Sequence, residues 1–188
     1  MIENGIGGAN TNKNGKYFEN RIYKDLLIFL NDKKINKKLI NNEEKYLKIY
    51  NSKKELGFII KQHGLYKFLK DNNINWKEKI CSRIIPDLLI INFINKEIII
   101  SEIKYQKVSG STDEKLQTAH FKKYQYKKLF DDTKFSDFKI KYGYFLNNWF
   151  SHNRYNDILK YLENIECFYF FYDKDNYFKW KDFLNFNY

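Results

Sequence analysis

The sequence predicts an α/β fold, a central sheet covered by helices on both faces, and three observations carry that expectation. Ile84-Ile85-Pro86-Asp87-Leu88-Leu89-Ile90-Ile91 and Glu97-Ile98-Ile99-Ile100-Ser101-Glu102-Ile103-Lys104 are strand-length runs of β-branched residues and leucine. Their apolar character is nearly continuous instead of alternating, so both faces of each strand need cover. The flanking segments repeat apolar residues at helical spacing, which supplies the covering layers. No internal repeat or linker divides the 188 residues, so residues 1–188 are taken as one domain with material for a single core.

Each element has its own signal. Residues 1–14 (MIENGIGGANTNKN) are rich in Gly and Asn without a period, which predicts a flexible arm. Phe18, Ile22, Leu26, Phe29 and Leu30 mark one face of a helix from about Gly15 to Leu30. Lys33 to Lys38 is a basic stretch, Glu43 to Leu56 reads as a second, more polar helix, and Gln62 to Lys70 as a short third. The two strands follow, joined by Asn92 to Lys96, short enough for a hairpin. Ser111 and Glu114 have the spacing of a capping box, so a helix starts there and runs to about Phe130. Lys139 to Leu146 reads as a strand, Asn153 to Leu162 as a helix and Cys167 to Tyr172 as a strand. The aromatic, basic tail from Tyr177 to Tyr188 carries no assignable pattern.

Composition narrows the classes. The 34 Lys and Arg against 23 Asp and Glu leave a net charge of +11, which attracts polyanions. Only Arg21, Arg83 and Arg154 are arginine, and the abundance of Lys, Asn, Ile, Tyr and Phe matches an AT-rich coding sequence, which discounts the lysine excess. At 43% hydrophobic and 19% aromatic the chain is no disordered segment. No apolar run approaches the ~20 residues that span a bilayer, and the first residues lack the regions of a signal peptide, so a cytoplasmic protein without membrane contact is expected. Cys81 and Cys167 make neither a zinc site nor a disulfide framework and read as two buried thiols. His63, His120 and His152 have no second ligand at i+3 or i+4, which argues against zinc. Gly7-Gly8 lacks a following G-K-[ST], so no nucleotide cofactor is indicated.

Charge interrupts the two apolar strands at one place. Asp87 directly follows the chain's single proline, and Glu102 and Lys104 close the second run. With a side-chain period of two, Glu102 and Lys104 share a face while Ile103 points away. Folding the hairpin brings residue 87 opposite a position between 102 and 104, and opposed Cβ atoms sit ~4.5–5.5 Å apart. Two carboxylates and one ammonium then meet on a largely buried sheet, and one ammonium neutralises one carboxylate. A divalent cation is the natural remaining partner, and oxygen-only ligation suits Mg²⁺. Such an ion polarises a phosphodiester and generates hydroxide near neutral pH, with the ammonium beside it to orient or deprotonate the attacking water. A strand-capping aspartate beside a surface Glu–Lys salt bridge has the same spacing, so that alternative stays open on spacing alone.

Pro86-Asp87, fourteen residues, and then Glu102-Ile103-Lys104 at a strand end resemble the PD-(D/E)XK nuclease superfamily, the fold of most type II restriction endonucleases. Gly15-Lys16-Tyr17-Phe18-Glu19 resembles that superfamily's first-helix segment. Leu65-Tyr66-Lys67-Phe68-Leu69-Lys70 and the stretch from Glu102 through Lys107-Val108-Ser109-Gly110-Ser111-Thr112-Asp113-Glu114-Lys115 to Thr118 resemble small restriction-type members. The similarity covers roughly residues 7–130. It implies a restriction-endonuclease-like core with a central mixed sheet flanked by helices on both faces. It further implies Asp87, Glu102 and the Ile103 carbonyl as metal ligands, Glu19 as a further ligand, and Lys104 as the catalytic lysine. Gln106, on the face of Lys104, is a candidate for orienting water or a phosphate. The cofactor implied is Mg²⁺, with Mn²⁺ as a substitute, and the products carry 5′-phosphate and 3′-hydroxyl ends.

Double-stranded DNA is the expected partner. Candidate phosphate contacts are Asn12, Lys13, Asn14 and Lys16 of the arm, Lys107, Ser109, Ser111 and Lys115 of the loop, Gln117, and the helix lysines Lys122, Lys123, Lys127 and Lys128. Gln117, Phe121, Tyr124 and Lys128 form one helical stripe whose aromatics read as core. Plentiful asparagine and scarce arginine point toward an A·T-containing site. One active site per chain cuts one strand, so a homodimer on a palindromic site is expected. A homing, junction-resolving or repair nuclease of the same fold, or a non-catalytic nucleic-acid-binding protein, are the rival readings.

Overall fold

A computed structural model describes residues 7–40, 46–52, 54–108, 112–172 and 179–186, the side chains of 7–12 and 112–113 excepted. Helix α1 runs Gly7–Asp32, followed by β1 (Asn36–Leu39), β2 (Tyr46–Asn51) and β3 (Lys54–Ile60). Two short helices, α2 (Gly64–Asp71) and α3 (Trp76–Lys79), lead to β4 (Leu88–Asn92) and β5 (Glu97–Lys104). The chain crosses over through α4 (Thr112–Gln117) and α5 (Ala119–Phe130) to β6 (Lys139–Leu146). Two 3₁₀ turns, α6 (Asn156–Asn164), β7 (Phe168–Phe171) and α7 (Lys179–Leu184) complete it.

The sheet has seven strands in chain order, antiparallel from β1 to β5 and parallel from β5 through β6 to β7. It is therefore mixed, and both faces are covered. Leu88, Ile90, Ile99 and Ile103 point to the face closed by Phe18, Ile22, Leu26 and Leu30 of α1 and Trp180 and Leu184 of α7. Leu89, Ile91, Ile98 and Ile100 point to the other face, closed by Phe68 of α2, Tyr126 and Leu129 of α5 and Leu162 of α6. Continuous apolar strands in the sequence and two-sided burial in the fold have the same cause, a strand with no solvent face.

The hairpin between β4 and β5 forms as expected, and Asn92 organises it. This residue is wholly buried; its Oδ1 accepts from the Ile94 and Asn95 amides at 2.9 and 3.3 Å, and its Nδ2 donates to the Leu184 carbonyl at 2.9 Å.

Several expectations need correcting. The helix expected over Glu43 to Leu56 is the β2–β3 hairpin, residues 41–45 and 53 lying outside the described ones. Tyr46 and Ile49 are buried on opposite faces of the sheet, so their three-residue separation imitates a helical spacing. The basic stretch before it carries β1, an exposed edge strand whose lysines suit an edge. Residues 7–14, expected in a flexible arm, are the first turns of α1, while residues 1–6 lie outside the described ones. The ladder of β4 begins at Leu88, not Ile84. The crossover helix breaks at Thr118 into α4 and α5; Ser111 of the expected capping box lies outside the described residues. The unassigned tail contains α7. Cys81 is exposed, not buried; Cys167 is buried, and burial pushes its thiol up to about 11.

Candidate active site

The register places the charged residues. Leu88 pairs with Ser101, so one further step sets Asp87 opposite Glu102 at the C-terminal end of β5. By alternation Glu102 lies on the face of Ile98 and Ile100, beneath α5. Glu102 is only 5% exposed, which removes the surface salt bridge as an explanation of the E-x-K spacing.

Lys104 stands at the centre. Its Nζ donates to Glu102 Oε2 at 2.8 Å, to Asp87 Oδ2 at 3.0 Å and to the Ile103 carbonyl at 3.3 Å. The Ile103 amide in turn donates to Asp87 Oδ2 at 2.7 Å, which fixes the carboxylate against the strand end. Burial opposes ionisation of Glu102, but the ammoniums of Lys104 and Lys122 outweigh it and hold the carboxyl below its usual range. Burial also opposes the charge of Lys104, and Glu102 and Asp87 outweigh it in turn, so the amine stays protonated beyond its ordinary value.

Two further residues complete the cluster. Lys122 Nζ on α5 lies 3.3 Å from Glu102 Oε2. Glu19 on α1 accepts from Gln62 Nε2 at 3.4 Å, and the Gln62 amide donates to the Pro86 carbonyl at 3.0 Å, tying α1 to the residue before Asp87. Burial and the neighbouring Asp87 raise the Glu19 carboxyl, with Lys104, Lys61 and Gln62 pulling the other way. Lys122 appeared in the sequence only as one of several helix lysines, and Gln62 only as a helix start. Neither position carries a signal that would single it out, because both are brought in by tertiary packing.

The donor set fits a hard divalent cation. Asp87 Oδ2, Glu102 Oε2 and the Ile103 carbonyl already converge on one positive charge, the Lys104 ammonium. Oxygen donors alone, two of them carboxylates, are what Mg²⁺ takes. Glu19 stands within electrostatic reach of Asp87 as a further carboxylate. Among the described residues no group of three His, Cys, Asp or Glu is close enough to hold a metal by protein side chains alone, so the carbonyl and water complete any such shell.

The remaining candidates divide. Gln106 is not at the surface to meet water or phosphate: it is 3% exposed and locked to Asn147, whose Oδ1 accepts from the Gln106 amide at 3.0 Å and whose Nδ2 donates to its carbonyl at 2.9 Å. Its Nε2 donates to the Val108 carbonyl at 2.7 Å, which shapes the loop after β5. Lys13, Lys16, Lys107, Lys115 and Gln117 are exposed and Asn14 is half-buried. The Asn12 side chain, Ser109 and Ser111 lie outside the described residues. Lys122 turns inward to Glu102, and Lys123 donates to the Ile165 and Glu166 carbonyls at 2.9 and 3.1 Å, so of the helix lysines Lys127 and Lys128 face solvent. Phe121 and Tyr124 are 62% and 55% exposed, so the aromatic stripe is an outer face and not core.

Comparison with family models, curated proteins and solved structures found no match to this chain. Among the described residues no helix is long and apolar enough to cross a membrane.

Proposed function

We propose that the chain is a divalent-cation-dependent phosphodiester hydrolase acting on duplex DNA. Within that class the reading is a type II restriction endonuclease of the PD-(D/E)XK kind that acts as a dimer, because each chain carries one cluster and a double-strand break takes two. A single observation carries it: Asp87, Glu102 and the Ile103 carbonyl, the three oxygens the motif resemblance implies as ligands, converge on one cationic centre, the largely buried Lys104 ammonium. The mixed sheet with helices on both faces agrees with the core that the resemblance implies.

The chemistry follows from those groups. Asp87, Glu102 and the Ile103 carbonyl would hold Mg²⁺, or Mn²⁺ in its place, and Glu19 would supply a further carboxylate. Such an ion would supply Lewis acidity toward the phosphodiester and toward the attacking water. Lys104 orients the attacking water and balances negative charge that grows on the phosphoryl oxygens. Lys122 keeps Glu102 ionised from the other side. A bond forms between the water oxygen and phosphorus while the bond from phosphorus to the 3′ oxygen breaks; the water's proton passes through solvent to that oxygen. The products are a 5′-phosphate and a 3′-hydroxyl.

Incubation of the pure protein with unmethylated plasmid and Mg²⁺ tests the reading. Discrete fragments that vanish with EDTA or with Lys104→Ala are expected. Intact plasmid across many substrates overturns it. Cleavage confined to branched or nicked DNA marks a junction or repair nuclease, and salt-dependent binding without cleavage marks a binding protein.

A further inference from the structure

Arg83, four residues before Asp87, lies over two aromatic rings. Its Cζ lies 4.9 Å from the Tyr66 ring centre and 5.4 Å from that of Trp76, and the two rings meet edge to face at 5.4 Å. The platform is itself fixed: the Tyr66 hydroxyl accepts from the Ile84 amide at 2.7 Å and donates to the Ile84 carbonyl at 2.8 Å. Tyr66 and Trp76 pack against the core cluster on the face where Glu102 lies. Arg83 is nevertheless exposed, and among the described residues no hydrogen bond or ion pair takes up its N–H groups. Arg154 offers a contrast. It lies over Trp149 and Tyr155 in the same manner but donates to the Tyr155 hydroxyl.

Arg83 borders an open groove of about 540 Å³ that also includes Lys70, Asn73, Asn75 and Trp76. It precedes Asp87 by four residues, so its Cα lies within about 14 Å of that of Asp87, a few base-pair steps along a duplex. A phosphate contact asks only for positive charge, which the exposed lysines of this chain already supply, Lys70 in this groove among them. A planar fork of donors, packed over aromatic rings so that little freedom is lost on binding, matches a pair of acceptors instead. On duplex DNA the matching pair is O6 and N7 of guanine in the major groove.

We propose that Arg83 reads one guanine of the recognition sequence, donating to its O6 and N7 from the Tyr66–Trp76 platform a few base pairs from the cut. This rests on the reading of the chain as a DNA endonuclease and adds a specificity determinant to it. A guanine contact also modifies the A·T expectation drawn from arginine scarcity: one arginine placed on such a platform suffices for one G·C pair.

The test is digestion of a randomised duplex library with Mg²⁺ by the wild-type, Arg83→Ala and Arg83→Lys chains, followed by sequencing of the ends. A guanine at one fixed position is expected in the wild-type motif, with selectivity there falling about 10- to 100-fold in both variants while the other positions hold. On a single duplex, 7-deazaguanine at that position, which lacks the N7 acceptor, should slow the wild type and leave Arg83→Ala unchanged. A wild-type motif without guanine, the same motif cut more slowly by Arg83→Ala, or full selectivity in Arg83→Lys overturns the inference. If Arg83→Ala fails to fold, the lysine variant and the 7-deazaguanine substrate with the wild type still decide it. A library left uncut by the wild type overturns the nuclease reading itself, an outcome distinct from cleavage without the guanine.

Discussion

Lys104 bridges Asp87 and Glu102 with one ammonium, and that sharing has measurable consequences. In Lys104→Ala the two carboxylates lose their common cation, so the metal-free protein should be destabilised by about 3 kcal/mol, read from urea unfolding in EDTA. The same variant should gain more thermal stability from Mg²⁺ than the wild type does, because no ammonium competes for the oxygens. Plasmid cleavage should nonetheless fall about 10²- to 10⁴-fold. Tighter metal response with lost activity separates a catalytic lysine from a structural one. Acid stability gives a second check. Glu102 titrates below its ordinary 4.5 in the folded chain, so on acidification the unfolded chain takes up the proton first. Its contribution is therefore whole above 4.5 and is lost as pH falls through the folded value. Glu19 shifts the other way and offsets part of this. The slope of unfolding free energy against pH in that acid range should be shallower in Glu102→Gln than in the wild type. Lys104, held above 10.5, contributes stability that is whole below 10.5 and is lost as pH rises through its folded value.

At the scale of elements, glycines show which strand contacts are tight. A Cβ on Gly143 of β6 would lie 2.0 Å from the Phe168 carbonyl oxygen of β7, and 2.5 Å from the Phe168 ring. Gly143→Ala should therefore cost about 2–3 kcal/mol and speed amide exchange along Phe168–Phe171. Gly15 in α1 meets nothing within 4 Å, so Gly15→Ala should stabilise by about 0.5–1 kcal/mol through helix propensity. Chemical denaturation of the two variants side by side checks both signs. The β2–β3 hairpin shows where local pattern misleads. Gly57, at φ +145, brings β3 so close to β4 that an added Cβ would lie 1.8 Å from the Ile91 carbonyl oxygen. Nothing in residues 43–56 announces that neighbour, and burial of Tyr46 and Ile49 on opposite faces hides the period of two. The strands Glu97–Lys104 and Lys139–Leu146, by contrast, are legible to the residue, because each is long and unbroken, with Ile98–Ile103 and Tyr142–Leu146 buried.

The whole molecule carries its charge of +11 chiefly as lysine, and that sets its expected behaviour toward DNA. With about six phosphates neutralised, log K should fall with log salt at a slope near −5, measured by fluorescence anisotropy on a duplex in EDTA. A slope near zero would remove the electrostatic basis of the DNA reading. The exposed lysines of α1, of the loop after β5 and of α4 (Lys13, Lys16, Lys107, Lys115) are the expected sources of that slope. Lys122 and Lys123 are not, since the fold spends them on Glu102 and on the carbonyls of Ile165 and Glu166.

The sequence alone determined the two buried strands, the hairpin between them and the meeting of Asp87 with Glu102 and Lys104, because hairpin register and a period of two are local properties of a continuous stretch. Only the tertiary structure decided what surrounds them. Helices α1 and α5 and the turn before α2 deliver Glu19, Lys122 and Gln62 to the cluster, Asn147 removes Gln106 from it, and Arg83 packs over Tyr66 and Trp76. Those placements depend on how helix faces seat on a sheet, a property of packing between distant segments that no window of sequence contains.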